Sequence, residues 1–519
     1  MKRFYSAAAV LALSAGMASA DYTLHILHTN DMHSRIESIN KYDSTCNADG
    51  EAEGKCFGGI ARVKTAIDAK RAELSGQNVV VLDAGDPFQG SLFYSTYKGA
   101  AEAEFMEKIA YDVMAVGNHE FDDGPKGLAD FIAAVSFPVV SGNLDLTGEP
   151  LLDGKVENHV VLEVGGQKIG IVSALATDTV ETSSPGAGVV FEDEIAALTA
   201  DVAALQSEGV EMIIALNHVG LRKDSEIAAA VPGIDVVIGG HSHTLMSNDD
   251  DGTPAYPEMV DGTPVAQAYA YTKYLGHLVV TFDDAGNVTA ASGDPMVLDA
   301  SVTPDAGFAA RIAEMGAPIE ALKKKVVAET AVEIVGAREE CRARECAMGN
   351  LIADAMLDRV KDQGIEVAIQ NGGGIRASID AGEVTMGEVL TVLPFQNTLS
   401  TFQVTGATIV AALENGVSQI EDGAGRFPQV AGMSYAFDVA QEPGNRVSDV
   451  MVGGAPIEMD KVYGVVSNNY VRNGGDGYKM FVDAMNAYDF GPDLADVTAE
   501  FIAANGPYTP YTDGRITAK

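Results

Sequence analysis

The sequence predicts an α/β protein with two domains, and three observations carry that expectation. Short apolar runs rich in Val, Ile and Leu read as buried strands, over Tyr22–Leu27, Val79–Leu82, Val113–Val116, Met212–Leu216 and Val236–Ile238. Helical patterns lie between them, over Ile60–Leu74, Ala101–Ile109 and Ile195–Ser207, and that alternation belongs to α/β architectures. The chain has 519 residues, whereas one core serves ~100–200, so two domains are expected.

In chain order, the first element is an export leader over residues 1–20. Lys2 and Arg3 open it, Ala7–Ala18 is almost wholly apolar, and Ala18-Ser19-Ala20 is a small-x-small cleavage site. That run is shorter than the ~20 residues a bilayer span needs. The polar end, Thr512–Lys519, offers no lipid-anchor tail, so a soluble periplasmic chain starting near Asp21 is expected. The net charge is −40, and loss of Lys2 and Arg3 from a leader without acids makes it −42. Such a surface disfavours nucleic acid polymers as partners. An anionic substrate would need a locally positive site, made by metal ions or arginines and screened from the acidic exterior over ~8 Å.

The four cysteines form two close pairs, Cys46 with Cys56 and Cys341 with Cys346. In an exported chain this favours two local disulfides, and neither pair has the Cys-x-x-Cys spacing that zinc sites prefer. Tyr269–Phe282 and the stretch after it look like antiparallel strands closing the first half. Pro304–Val327 then reads as one amphipathic connector helix, capped by Thr303, with Lys323, Lys324 and Lys325 on a solvated face near its end. A second α/β unit follows, with strand-like Val367–Ile369 and Val462–Val466. The expected division is therefore 21–303, connector 304–327 and 328–519.

The residues after each strand carry the chemistry. Leu27 leads into His28-Thr29-Asn30-Asp31-Met32-His33, Leu82 into Asp83-Ala84-Gly85-Asp86, and Val116 into Gly117-Asn118-His119-Glu120. Leu216 leads into Asn217-His218, and Ile238 into Gly239-Gly240-His241-Ser242-His243. His33, His119, His218, His241 and His243 are five of the nine histidines in the chain. Singly, each ligand candidate is an ordinary loop or turn residue. Jointly they place His, Asp and Asn at the carboxyl ends of five strands, expected at one sheet edge, where α/β sheets build sites. Two divalent cations ~3.5–4 Å apart could hold a phosphoryl group there and activate a water for in-line attack on phosphorus. A bridging carboxylate would offset the repulsion between the cations, and mixed N/O donors suit Zn, Mn, Co or similar ions.

Thr29-Asn30-Asp31-Met32-His33, Gly85-Asp86, Gly117-Asn118-His119-Glu120-Phe121-Asp122, Asn217-His218 and Gly240-His241-Ser242-His243 resemble the metallophosphoesterase domain of the 5′-nucleotidase family. The resemblance spans nearly the whole mature chain, with its motifs in order. It implies a calcineurin-like β-sandwich flanked by helices, a connector helix and a second α/β substrate-binding domain. It implies that Asp31 and His33 bind one metal, Asp86 bridges, and Asn118, His218 and His241 bind the second. His243 departs from the family pattern, which carries Gln or Asn there, and would complete the first metal's shell or line the pocket. His119 and Asp122 resemble the family's catalytic dyad, the imidazole stabilising the pentavalent transition state or protonating the leaving oxygen.

The second half would supply cations and a platform for the base. Cys341-Arg342-Ala343-Arg344-Glu345-Cys346 is similar to the family's arginine loop, in which Arg342 would bind phosphate. Asn371-Gly372-Gly373-Gly374-Ile375-Arg376 follows a strand; its glycines allow close backbone approach and Arg376 adds a second phosphate contact, with Asn371 and Gly373 at the substrate. Leu393-Pro394-Phe395 and Asn469-Tyr470-Val471-Arg472-Asn473-Gly474-Gly475-Asp476-Gly477 match the segments that hold the nucleoside in the family. Phe395 and Tyr470, the latter replacing Phe, would sandwich the base, each contact worth ~1–3 kcal/mol, and Asp476 would take the ribose hydroxyls. The expected activity is periplasmic hydrolysis of nucleoside 5′-monophosphates by a monomer or homodimer, with a small nucleotide as partner. A broader hydrolase of UDP-sugars, NAD or 2′,3′-cyclic nucleotides, and a non-catalytic nucleotide-binding protein, are the alternatives.

Overall fold

The computed structural model describes residues 21–41, 45–177, 179–183, 185–249, 252–395, 397–488 and 491–519. The leader expected over residues 1–20 lies outside the described residues.

The first half is layered helix, sheet, sheet, helix. One seven-stranded sheet has the spatial order Val288–Gly293, Tyr274–Phe282, Tyr22–Thr29, Asn78–Asp83, Val113–Ala115 and Val139–Val140, with Met296–Val297 added beside Tyr274–Phe282. Its last four strands are parallel, and Tyr274–Phe282 runs antiparallel to Tyr22–Thr29, as the sequence suggests. A six-stranded sheet has the order Glu258–Val260, Thr263–Ala266, Val236–Ile238, Met212–Leu216, Gln167–Val172 and His159–Val164.

The period-2 alternation of strand side chains explains the layers. Leu24, Ile26, Val80, Leu82 and Val113 meet Ile171, Ile214, Leu216 and Val236 between the sheets. Leu27, Val81, Met114 and Val116 belong to the other core, against Ile60, Val63, Ile67 and Phe105 of the outer helices. On the far side Val172, Ile213, Ala215 and Val237 pack on Leu198, Val202, Leu205 and Ile227. The flanking helices Ile60–Glu73, Ala100–Ile109 and Glu194–Ser207 match their patterns closely. The single sheet edge expected for the site is corrected: three of the five loops leave the first sheet and two leave the second.

The connector is also corrected. Its helix covers Ala306–Lys323, and its cap is Asp305, not Thr303: Oδ1 of Asp305 accepts the Phe308 N–H at 2.8 Å. The helix ends early because Val326–Thr330 leaves it as a strand paired with Gly382–Thr385, which suits its β-branched Val326 and Val327. Phe308, Met315 and Ile319 anchor the helix in the first core, while its other side meets helix Met386–Val392 of the second half.

The second half is built on a five-stranded sheet in the order Pro428–Ala431, Val367–Asn371, Val462–Asn468, Leu399–Thr405 and Met485–Tyr488. Ala368, Leu399 and Val466 pack with Leu351, Ile352, Met356 and Ile502 from helices Ala347–Val360 and Leu494–Ala504. Val367, Ile369, Phe402 and Val465 pack with Ile409, Ala412 and Leu413 of helix Gly406–Val417. Both local disulfides are present, with Cα–Cα separations of 5.8 Å for Cys46–Cys56 and 5.1 Å for Cys341–Cys346. Gln429 anchors the second bridge, its Nε2 donating to the carbonyls of Cys341 and Arg344. Replacing Cys341 and Cys346 with Ser is expected to destabilise the second half by about 2 kcal/mol, measurable by denaturant titration of the purified chain.

Candidate metal centre and substrate cleft

The site starts from strained backbone. Asp31, His33, Ser34, Asp86, His241 and His243 all have positive φ, between 45° and 75°, although none is glycine. Each such residue costs of order 1–3 kcal/mol and persists only where its surroundings over-determine it. Here the loops lock each other: Asp31 N donates to the Gly85 carbonyl at 2.9 Å, His33 N to that of Asp86 at 3.0 Å, and Tyr271 N to that of Asp31 at 2.8 Å. Gly117 is obligatory in this lattice, because a Cβ there would lie 2.1 Å from Asp86 Oδ1.

Two donor groups converge and share one carboxylate. In the first, His243 Nε2 is 2.9 Å from His33 Nε2 and 3.2 Å from Asp31 Oδ1. In the second, Asp86 Oδ2 is 3.0 Å from His218 Nε2, while Asn118 Oδ1 is 3.2 Å from His218 Nε2 and 2.9 Å from His241 Nδ1. Asp86 Oδ2 also lies 3.9 Å from His33 Nε2. Ligand atoms of Asp31, His33 and His243, of His33, Asp86 and His119, and of Asp86, His218 and His241 fall within 4.8 Å of one another. Asp86 thus stands where the two sets meet.

Hydrogen bonding orients these donors. His218 Nδ1 donates to the Ala84 carbonyl at 2.7 Å and His33 Nδ1 to that of Phe88 at 3.2 Å, which turns each Nε2 inward. Burial lowers the His218 pKa, but Asp86 and Asp31 outweigh it and raise the value to about 10. Burial would raise Asp31, yet His243 and His218 bring it down to about 2. Buried carboxylates facing imidazoles call for positive charge, and a divalent cation among the same atoms meets that need. The set of carboxylate, imidazole and amide oxygen donors fits such ions.

His119 Nδ1 is 2.7 Å from Asp122 Oδ2, and its backbone N–H donates to Asp86 Oδ1 at 2.9 Å. Burial lowers the imidazole's pKa, but the carboxylates of Asp122 and Asp86 outweigh it and raise the value to about 10. Two neighbours carry no signal in the motif reading. Ser183 Oγ donates to the other Asp122 oxygen at 2.9 Å, from a stretch with no motif at all. Glu120 lies inside a quoted motif, and only the structure brings it three backbone donors: Gly117 N at 2.7 Å, Asp86 N at 3.1 Å and Phe88 N at 3.3 Å. Burial first, and then the charge of Asp86, push the Glu120 carboxyl up to about 8. Glu120→Gln would keep one acceptor oxygen for the Gly117 and Asp86 N–H groups but turn an amide donor toward the Phe88 N–H. It is expected to weaken divalent-ion binding by about 10–100-fold, read by metal titration of the purified chain.

A cleft of about 480 Å³ joins the two halves. Its walls include His33, Asp86, Asn118, His119, Asp122, His241 and His243 on one side and Phe395 and Tyr470 on the other. Asp31 and His218 are fully buried beneath it. Arg342, Asn371, Gly373, Arg376 and Asp476 do not line it. They gather around the aromatic wall instead: the Arg376 guanidinium sits 5.5 Å over the Phe395 ring, its Nη1 donates to the Gly373 carbonyl at 3.3 Å, and Asn371 Nδ2 donates to Asp476 Oδ2 at 2.7 Å. Arg342 donates to the Gly423 carbonyl at 3.3 Å, and burial together with Arg338 and Arg376 lowers its pKa. On the metal side, Arg35 stacks at 5.0 Å on Tyr271, a cleft contact that the motifs do not signal.

Known proteins divide along the same line. Residues 24–245 match the calcineurin-like phosphoesterase family, and residues 326–483 match the 5′-nucleotidase C-terminal domain. The 5′-nucleotidase of Rattus norvegicus is 39% identical, over 98% of this chain and 93% of its own length. Among solved structures, the 5′-nucleotidase precursor from Thermus thermophilus is similar with a TM-score of 0.66 and 38% identity, over 96% of this chain and 99% of that one. The Haemophilus influenzae NAD nucleotidase is similar with a TM-score of 0.72 and 28% identity, over 96% of this chain and 100% of its own.

Proposed function

Because the chain belongs to the 5′-nucleotidase family and is a metal-dependent phosphoester hydrolase, we propose that it releases phosphate from nucleoside 5′-monophosphates at a pair of divalent cations. Asp31, His33 and His243 would hold one cation, Asn118, His218 and His241 the other, and Asp86 would serve both. When bound, the pair polarises the phosphoryl group and brings a water's pKa toward ~7. His119 has Nδ1 tied to Asp122, so Nε2 is its donor to the phosphoryl oxygens or the leaving oxygen. Phe395 and Tyr470 stack on the base, Asp476 takes the ribose hydroxyls, and Arg342 and Arg376 meet the phosphate, with Asn371 and Gly373 beside them.

One observation carries this reading: a carboxylate between two largely buried donor sets opens onto the same cleft as two aromatic rings. The chelated chain, reloaded with Mn, Zn or Co, is expected to release phosphate from AMP. No release with any of these ions would overturn the proposal. The similarity to the NAD nucleotidase supports a second reading, a wider range that includes NAD, UDP-glucose and cyclic nucleotides. The same assay with those substrates separates the two.

Arg342 and Arg376 do not line the cleft, which supports a rotation of one half against the other about the connector during turnover. A disulfide engineered across the halves is expected to abolish turnover while metal content stays; retained turnover would reject the motion. The reading includes export, cleavage before Asp21 and a periplasmic location, checked by N-terminal sequencing of the fractionated protein.

A further inference from the structure

We infer that the Tyr470 hydroxyl is a positioning group for Asp476, and that it sets the preference of this cleft for nucleotides with an intact ribose diol. The inference rests on the proposed placement of the nucleoside between Phe395 and Tyr470.

Tyr470 lies in the short helix Asn469–Arg472, and Asp476 in the turn Gly475–Gly477 just after it. The phenol engages Asp476 twice. Its O–H donates to Oδ1 at 3.1 Å, and its oxygen accepts the Asp476 backbone N–H, also at 3.1 Å. One hydroxyl therefore holds both the main chain and the carboxylate of the same residue. The other carboxylate oxygen, Oδ2, accepts from Asn371 Nδ2 at 2.7 Å, and Asn371 is itself held by Asn468 Nδ2 at 2.9 Å.

The surrounding backbone is shaped for this clasp. Asp476 has φ of 51°, left-handed for a residue with a side chain, and so needs such restraint. A Cβ on Gly475 would lie 2.5 Å from Cζ of Tyr470, so only glycine lets the ring lie across the turn. Cβ atoms on Gly373 and Gly425 would come within 3.3 Å and 3.1 Å of Oδ2. The carboxylate thus sits close against two glycines, and Oδ1, which meets the tyrosine hydroxyl, keeps a second lone pair. A carboxylate oxygen held this way accepts well from a sugar hydroxyl, because its orientation is fixed before the ligand arrives. Meanwhile Tyr470 is 47% exposed and lines the cleft. One side chain therefore presents a stacking face and fixes the ribose acceptor at a set distance from it.

Tyr470→Phe keeps the ring and removes only the hydroxyl. The test measures kcat and KM for AMP and for 2′,3′-dideoxy-AMP with the metal-loaded full chain, as wild type, Tyr470→Phe, Asp476→Ala and the double variant. On AMP, Tyr470→Phe is expected to lose about tenfold in kcat/KM, mostly through KM, as suits a hydrogen bond to a charged group. The loss on the dideoxy substrate should be several-fold smaller, so the ratio between substrates narrows. The double variant should be no worse on AMP than Asp476→Ala alone. An unchanged ratio in Tyr470→Phe, beside a narrowed one in Asp476→Ala, overturns this inference and leaves the proposed function standing. An unchanged ratio in both overturns the placement of Asp476 and the inference with it. Absence of AMP hydrolysis by the wild type overturns the functional reading itself.

Discussion

Asp86→Ala is expected to lower phosphate release from AMP by more than about 10³-fold, and to leave the chain with less bound divalent ion than the wild type. Removing one neutral donor from a transition-state site already costs about 10²–10³ in turnover, and loss of a cation should exceed that. The geometry shows why Asp86 is the weakest point. Its Oδ2 lies 3.0 Å from His218 and 3.9 Å from His33, whereas Asp31 Oδ1 stays 3.9 Å from each. Without it the first donor set keeps the charge of Asp31, but the second is left with the neutral Asn118, His218 and His241. Metal analysis by mass spectrometry should therefore show the larger loss from one of two sites. Asp86→Asn, which keeps the shape and removes the charge, should behave similarly. Full metal content together with wild-type turnover in Asp86→Ala would falsify the shared-ligand assignment.

His119→Ala should behave differently, losing about 10²–10⁴-fold in kcat while metal content stays near that of the wild type. The separation is structural. His119 steadies Asp86 through its backbone N–H, which alanine retains, whereas the imidazole is turned to Asp122 and the cleft. If Nε2 protonates the leaving oxygen, the defect should shrink with p-nitrophenyl phosphate, whose leaving group needs no proton. An equal defect on both substrates would assign His119 to stabilising the phosphoryl charge instead. The pH profile has a definite sign. The carboxylates of Asp122 and Asp86 overcome burial and raise His119 to about 10, so its protonated form persists at neutral pH and is lost as pH rises. Cations on Asp86 would withdraw part of that support and leave Asp122 as the main partner. Asp122→Asn is thus expected to move the alkaline fall in kcat to lower pH, and His119→Ala to flatten it.

Local pattern made much of this legible in advance. Val79–Leu82 and Val236–Ile238 read as strands because each packs on a core on both faces, so apolar residues run without a break. The residue after such a run lies at a strand end, and that position together with the family motifs singles out Asp86, Asn118 and His241 as ligand candidates, which the structure brings to one cleft. The cysteine pairs were legible for a similar reason, since each bridge closes over 10 or 5 residues. Glu120 and Ser183 were not. Two of the three backbone N–H groups on Glu120 come from a separate loop and Ser183 meets a carboxylate 61 residues away, and composition carries no trace of either. The connector cap moved from Thr303 to Asp305 because a cap depends on which oxygen reaches the free N–H groups, and neighbouring candidates look alike in sequence.

By itself, then, the sequence determined the chemical kinds available: imidazole, carboxylate and amide donors at strand ends, arginines beside glycine turns, and two aromatic loops. These follow from short-range rules, in which residue type and spacing set the local backbone. Which donors meet was decided only by tertiary structure. Asp31 and His243 stand far apart in the chain, yet their ligand atoms lie 3.2 Å from each other, because two separate sheets pack face to face and bring their loops to one place. The same long-range packing put Phe395 and Tyr470 on the cleft and left Arg342 and Arg376 off it, a placement set by how the halves sit on the connector helix.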